Sequence, residues 1–233
     1  MTADGCAIIS CEVFRPELQH LMGHNADRCY FLPQGLHRHP LILRSTLQGM
    51  IDGLDANGGV DTILLAYGLC GNGLDGIRSK KSRLIVPNCE DCIPILHGLS
   101  VFGNPGKIDK TGTYYFSPGW IRYGSDAYKE YSRCLSFLDK DEAFWVTREM
   151  IKSYSSFALI DTGLDLMEGD RAYARMVADF FGLDYLEIRG SADWLAGLLE
   201  KPFNHPGFIQ TEPGGELAAR VFSGCISSGK LSQ

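Results

Sequence analysis

Short apolar runs alternate along this chain with stripes of apolar residues at helical spacing. Residues 7–10, Cys29–Leu32, Thr62–Ala66 and 84–86 are runs of the strand type. Between the first two, Phe14, Leu18, Leu21 and Met22 recur at helical spacing, with Pro16 tolerated in the first turn. Leu43, Leu47, Met50, Ile51 and Leu54 line one face of a helix over 41–54, which Asn57-Gly58-Gly59 ends. A helix over 92–102 turns Ile93, Leu96 and Leu99 inward. After a Gly/Pro/Lys loop at 103–112, the segment TGTYYFSPGW predicts an extended run that Pro118-Gly119 terminates. Helices follow at 125–137, capped by Ser125, and at 140–154. A strand over 157–160 carries Asp161-Thr162-Gly163 at its tip, and a helix over 170–181 leads to a strand over 185–188. The last elements are a helix over 191–199 and a strand, Phe208–Thr211; the tail from Ser223 reads as frayed.

Alternation of strand and helix predicts an α/β fold with mostly parallel sheet flanked by helices, Rossmann-like in arrangement. The two halves read as a cysteine-bearing lobe over 1–120 and a second α/β lobe over 121–233, or as one continuous sheet drawn from both. No residue-level internal repeat is present.

Composition adds little to this picture: 45% hydrophobic and 21% charged residues are ordinary for a soluble globular chain. A net charge of −6 argues against nucleic acid as a partner, because no basic stripe exists to displace counterions. Lys80, Lys81 and Arg83 form a tight basic cluster that a solvated loop explains. No apolar run reaches the ~20 residues of a membrane span, and the beginning MTADGCAIIS has no basic segment of the signal-peptide kind. The expected location is therefore cytoplasmic. In a reducing compartment the 8 cysteines are not a disulfide framework, which leaves metal binding or catalysis as their chemical uses.

Cys11, Cys70 and Cys92 each stand on or just past a strand end, where loops of an α/β sheet converge. Three thiolates in one pocket repel unless a metal lies between them, and three with an open fourth position suit zinc or an iron–sulfur cluster. The alternative is that these cysteines fill core space. Gly68, Gly71 and Gly73 let the turn carrying Cys70 approach a ligand closely. Glu12 and Asp91 neighbour candidate cysteines and suit ligand orientation or general-base work, with N-capping as the alternative for Asp91. His37, after a Pro-Gln-Gly-Leu turn, is a candidate ligand or proton donor. Tyr114, Tyr115 and Trp120 form either a pocket wall, with Tyr115 as a proton donor, or core. Asp161 is the candidate contribution of the second half if the lobes face each other. Cys89 and Cys92 make a CxxC without a thioredoxin-like context, and Cys6, Cys29, Cys134 and Cys225 have no partner spacing.

The motifs CEVFRPE, LPQGLH, YGLCGNG, DCI, GTYYFSPGW and DTG occur in that order, followed by RGSADWLAGLL and EPGG. Together they resemble the family known as domain of unknown function 1638. The resemblance implies family cysteines at Cys11, Cys70 and Cys92 and a histidine at His37. The chain departs from the pattern in having Cys89, and Glu90 where a basic residue or histidine is usual. The resemblance also implies proximity to corrinoid-dependent methyltransferase systems. Two functions are expected on this footing. One is an enzyme acting on a small-molecule substrate in one-carbon or related metabolism, with its metal on the three cysteines. The other is an accessory protein that handles a corrinoid, a metal or a methylated small molecule for methyltransferase components.

Overall fold

Strand β1 (Cys6–Cys11) is buried at every position, as an apolar run covered on both faces should be. The computed structural model, which describes residues 5–23, 28–98, 111–200 and 207–222, sets it between two parallel neighbours. These are β2 (Cys29–Leu32) and β3 (Thr62–Ala66), and β4 (Arg83–Pro87) extends the sheet in parallel beyond β3. A second sheet holds β5 (Thr113–Phe116), β6 (Ser156–Asp161) and β7 (Asp184–Arg189), all parallel. The chain then returns to the first sheet, where β8 (Phe208–Thr211) pairs antiparallel with β4. The first sheet thus has the order β2-β1-β3-β4-β8. Its second strand lies on one side of β1 and its third on the other, so the winding reverses between β1 and β3. In open α/β sheets, the crevice beyond the carboxyl ends at such a reversal is where ligands bind.

Helices α1 (Arg15–Met22), α2 (Pro40–Asn57) and α3 (Cys92–His97) connect the first sheet. Around the second lie α4 (Pro118–Tyr123), α5 (Ala127–Cys134), α6 (Lys140–Met150) and α7 (Glu168–Phe181). The last helix, α8 (Asp193–Leu199), packs back on β3 and β4. The fold is therefore α/β and Rossmann-like, with one mixed and one parallel sheet flanked by helices. Among the described residues, no helix is long and apolar enough to cross a membrane.

Several elements differ from the sequence reading. Helix α3 ends at His97 because Gly98 adopts the left-handed conformation (φ 73°); residues 99–110 and the tail from 223 lie outside the described residues. Pro118-Gly119 does not merely end a strand; it opens α4, with the Ser117 hydroxyl accepting from Trp120 N–H at 3.1 Å. The cap of α5 is Asp126 rather than Ser125, its carboxylate accepting from the N–H groups of Tyr128 and Lys129. Helices α5 and α6 stop at Cys134 and Met150, short of the expected ends. The Lys80–Lys81 turn is folded around the buried Asp55 carboxylate, which accepts from both backbone N–H groups and from the Ser79 and Ser82 hydroxyls.

The main core joins the first sheet to Tyr115, Ala158 and Ile160 of the second and to Trp194, Leu195 and Leu198 of α8. A separate cluster gathers Phe116, Phe157, Leu159, Val177 and Phe181, and Trp120 packs against both. Helix α4 reaches this position by pressing its backbone on the 3-10 turn Glu12–Phe14 that follows β1. A Cβ on Gly119 would lie 1.9 Å from the Val13 carbonyl oxygen. Gly119→Ala must therefore push α4 off that turn, and a loss of about 1–3 kcal/mol, the usual overpacking penalty, is expected in urea unfolding. An unchanged midpoint would contradict the contact.

Candidate functional site

The carboxyl ends of β1, β3 and β4 deliver Cys11, the Tyr67–Gly71 turn and the segment leading to Cys92. Two backbone hydrogen bonds tie the last two together: Leu69 N–H donates to Cys89 O, and Cys70 N–H to Glu90 O, both at 2.8 Å. They cross at Gly68, where a Cβ would stand 2.6 Å from the backbone N and Cα of Asp91. Asp91 caps α3, its carboxylate accepting from Ile93 N–H at 2.8 Å, and so fixes the helical turn that starts at Cys92. Among the described residues, the non-glycine positions with positive φ are Cys70 (48°) and Asn72 (70°). An L-residue there costs about 1–2 kcal/mol, and such strain concentrates at functional sites.

Cys11, Cys70 and Cys92 line one cavity of about 330 Å³, together with His37, Asp91, Gly68 and Gly71. Its remaining wall includes Tyr67, Gln34, Trp120 and the apolar side chains of Val13, Phe14, Leu36, Leu43 and Ile93. Thus the three cysteines, the histidine, Asp91 and two of the glycines meet at the reversal between β1 and β3. The other expected residues stand elsewhere. Gly73 is where α2 comes close, since a Cβ there would be 2.6 Å from Leu43 Cδ2. Glu12 accepts from Arg15 at 3.1 Å. Tyr115 lines a neighbouring cavity of about 460 Å³, which shares His37, Ile93 and Trp120 with the cysteine pocket. Asp161 lines a third cavity beside Arg189 and Ser191, accepts from Gly163 N–H at 2.8 Å and faces Arg171 at 3.4 Å.

His37 has a defined tautomer. Its Nδ1 is 2.6 Å from the Gln34 carbonyl oxygen, which can only accept, so Nδ1 carries a proton and the neutral ring has its lone pair on Nε2. The ring meets that of Trp120 edge-on at 6.0 Å between centroids, and Trp120 Nε1–H is held by Ser125 O at 3.1 Å. Burial pushes the Cys11 thiol up to about 12, and the Glu12 carboxylate acts in the same direction. Burial also raises Cys70, with Cys11 and Asp91 adding to it. Among the described residues, no lysine or arginine lines the pocket.

The donor chemistry, three thiols and an imidazole nitrogen, suits a thiophilic metal. As the side chains stand, however, no group of three or more His, Cys, Asp or Glu among the described residues is arranged to hold a metal ion. Ligation would require the thiols to turn toward one another.

Tyr67 and Gln34 do not stand out in the sequence as site residues. Both nonetheless fall within visible motifs, YGLCGNG and LPQGLH, as polar residues at strand ends. A family model described as "Protein of unknown function (DUF1638)" matches residues 31–199. The matched segment contains Gln34, His37, Tyr67, Cys70, Cys92 and Trp120 and begins after Cys11. No curated protein and no solved structure gives a significant match.

Proposed function

The chain belongs to the DUF1638 family, and from the pocket just described we propose that it is a metalloprotein whose Cys11, Cys70 and Cys92 bind zinc or an iron–sulfur cluster and present it to a small molecule. The observation carrying this reading is the convergence of three thiols, distant in sequence, on one cavity at the reversal of strand order. When bound, such a centre supplies Lewis-acid polarisation to a group on its open position. The chain's own residues supply the rest. His37 Nε2 is able to take a proton from a ligand. Phe14, Leu43 and Trp120 exclude water, and the Asp91 cap holds the turn bearing Cys92. A cavity of about 330 Å³ suits a small metabolite and favours it over a whole corrinoid. The three cysteines are not joined in disulfides among the described residues, and a reducing compartment such as the cytoplasm keeps thiols available as ligands.

Anaerobic purification followed by metal analysis and absorption spectroscopy tests the reading. The wild-type protein is expected to hold one zinc, or about four irons with a broad visible band as for a four-iron cluster. Cys11→Ala and Cys92→Ala should lose that metal while Cys134→Ala, in α5, retains it. Equal metal content in all three variants, or none in the wild type after reconstitution, would overturn the assignment.

A further inference from the structure

Two donors in the cysteine pocket lack acceptors. Tyr67 and Gln34 are each 2% exposed and line the cavity, and Tyr67 Oη and Gln34 Nε2 have no hydrogen-bond partner among the described residues. The orientation of the Gln34 amide is set by Ser125, whose N–H donates to Oε1 at 3.3 Å. Reversing the amide would oppose two donors, so Nε2 keeps its place. Buried polar atoms are nearly always paired, and leaving one unpaired is destabilising. Two unpaired groups able to donate, on residues lining one cavity, point to a ligand that accepts.

The charge of the wall narrows the ligand further. Asp91 and the thiols are its acidic groups, and among the described residues no lysine or arginine lines it to balance an anion. A carboxylate would meet neutral donors and negative neighbours. An ammonium group could donate to Tyr67 Oη or Asp91 but would leave Gln34 Nε2, which can only donate, unpaired. An uncharged carbonyl oxygen satisfies both residues without a charge to compensate. We propose that the pocket binds a small uncharged carbonyl compound, such as an amide, aldehyde or ketone, whose oxygen accepts from Tyr67 Oη and Gln34 Nε2. This rests on the reading above in placing the ligand among the cysteines, but the two hydrogen bonds do not depend on which metal is bound.

Acetamide and acetate, isosteric probes differing in charge, separate the carbonyl from the carboxylate. Each is titrated into the full chain, before and after metal reconstitution, while the Gln34 side-chain amide and Trp120 indole resonances are followed by NMR. Acetamide is expected to bind at least about tenfold more tightly than acetate, whose charge the wall leaves unbalanced. Tyr67→Phe should weaken acetamide about three- to tenfold, the range for one neutral hydrogen bond, and leave metal content unchanged. The same substitution should raise the ligand-free unfolding midpoint by about 2–4 °C, since it deletes an unsatisfied hydroxyl. Gln34→Glu keeps the acceptor for Ser125 N–H but removes the donor, and should weaken acetamide similarly. Equal acetamide affinity in wild type and both variants, tighter binding of acetate, or binding of neither probe would overturn the inference. The metal count of the wild type reports separately on the metal reading.

Discussion

Cys70→Gly is expected to abolish metal retention while leaving the metal-free protein about as stable as the metal-free wild type. Cys70 occupies the left-handed region at φ 48°, followed by Gly71 at φ 62°. An L-residue there carries about 1–2 kcal/mol of steric strain, which glycine removes. Against this, glycine adds about 0.5–1 kcal/mol of unfolded-chain entropy and deletes a small side chain packed against the core. The net change is within about 1 kcal/mol of zero. Deleting an ordinary buried side chain would be plainly destabilising, so stability and metal content should separate at this position as they would not at a space-filling cysteine. Urea unfolding of the metal-free wild type and C70G, paired with metal analysis of both after reconstitution, makes the check. Full metal content in C70G would remove Cys70 from the ligand set, and a loss of several kcal/mol would make it a core residue.

Glu17→Gln should abolish a pH dependence of stability that the wild type carries. Glu17 in α1 is fully buried, its Oε1 accepts from the Thr162 hydroxyl at 3.1 Å, and Oε2 has no partner among the described residues. Burial pushes the carboxyl up to about 7; Asp165 acts in the same direction, and the Thr162 hydrogen bond and Arg122 oppose it. Arg122 itself is engaged by Asp165 and Asp170. The unfolded carboxyl loses its proton near 4.5, so between there and pH 7 the native state binds more protons. Native stability therefore falls as pH rises through this window, by about 3 kcal/mol when complete, because holding one extra proton is worth about 1.36 kcal/mol for each step of one in pH. Glutamine mimics the protonated carboxyl and does not titrate. Of unfolding free energies measured at pH 4 and pH 8, those of E17Q and wild type should converge at the lower pH, below the 4.5 of the unfolded carboxyl. At the higher pH, E17Q should be the more stable by up to about 3 kcal/mol. Parallel profiles would show that Glu17 is not the titrating group.

Much of the cysteine pocket is legible in the order of residues alone. Strands β1, β3 and β4 are short apolar runs; Cys11 is the last residue of β1, and the Gly68 and Pro87 breaks after β3 and β4 place Cys70 and Cys92 on the same carboxyl edge. The rule fails for Asp161 for an informative reason. It too lies at a strand end, but that strand belongs to the second sheet, whose carboxyl edge opens on a cavity with Arg189 and Ser191. Pro118-Gly119 reads equally as a turn or as the first turn of a helix, and the contact of Gly119 with Val13 shows what the helix is for. That contact carries Trp120 over a pocket built mainly from the other half.

Local chemistry decided where this chain turns, which runs are buried, and which thiols stand at strand ends, because periodicity and glycine act within a few residues. Strand neighbours are chosen by pairing between segments far apart in the chain, which no local pattern encodes. The crossing from β2 over β1 to β3, the return of β8 to β4 and the two unpaired donors beside the cysteines all belong to that second level.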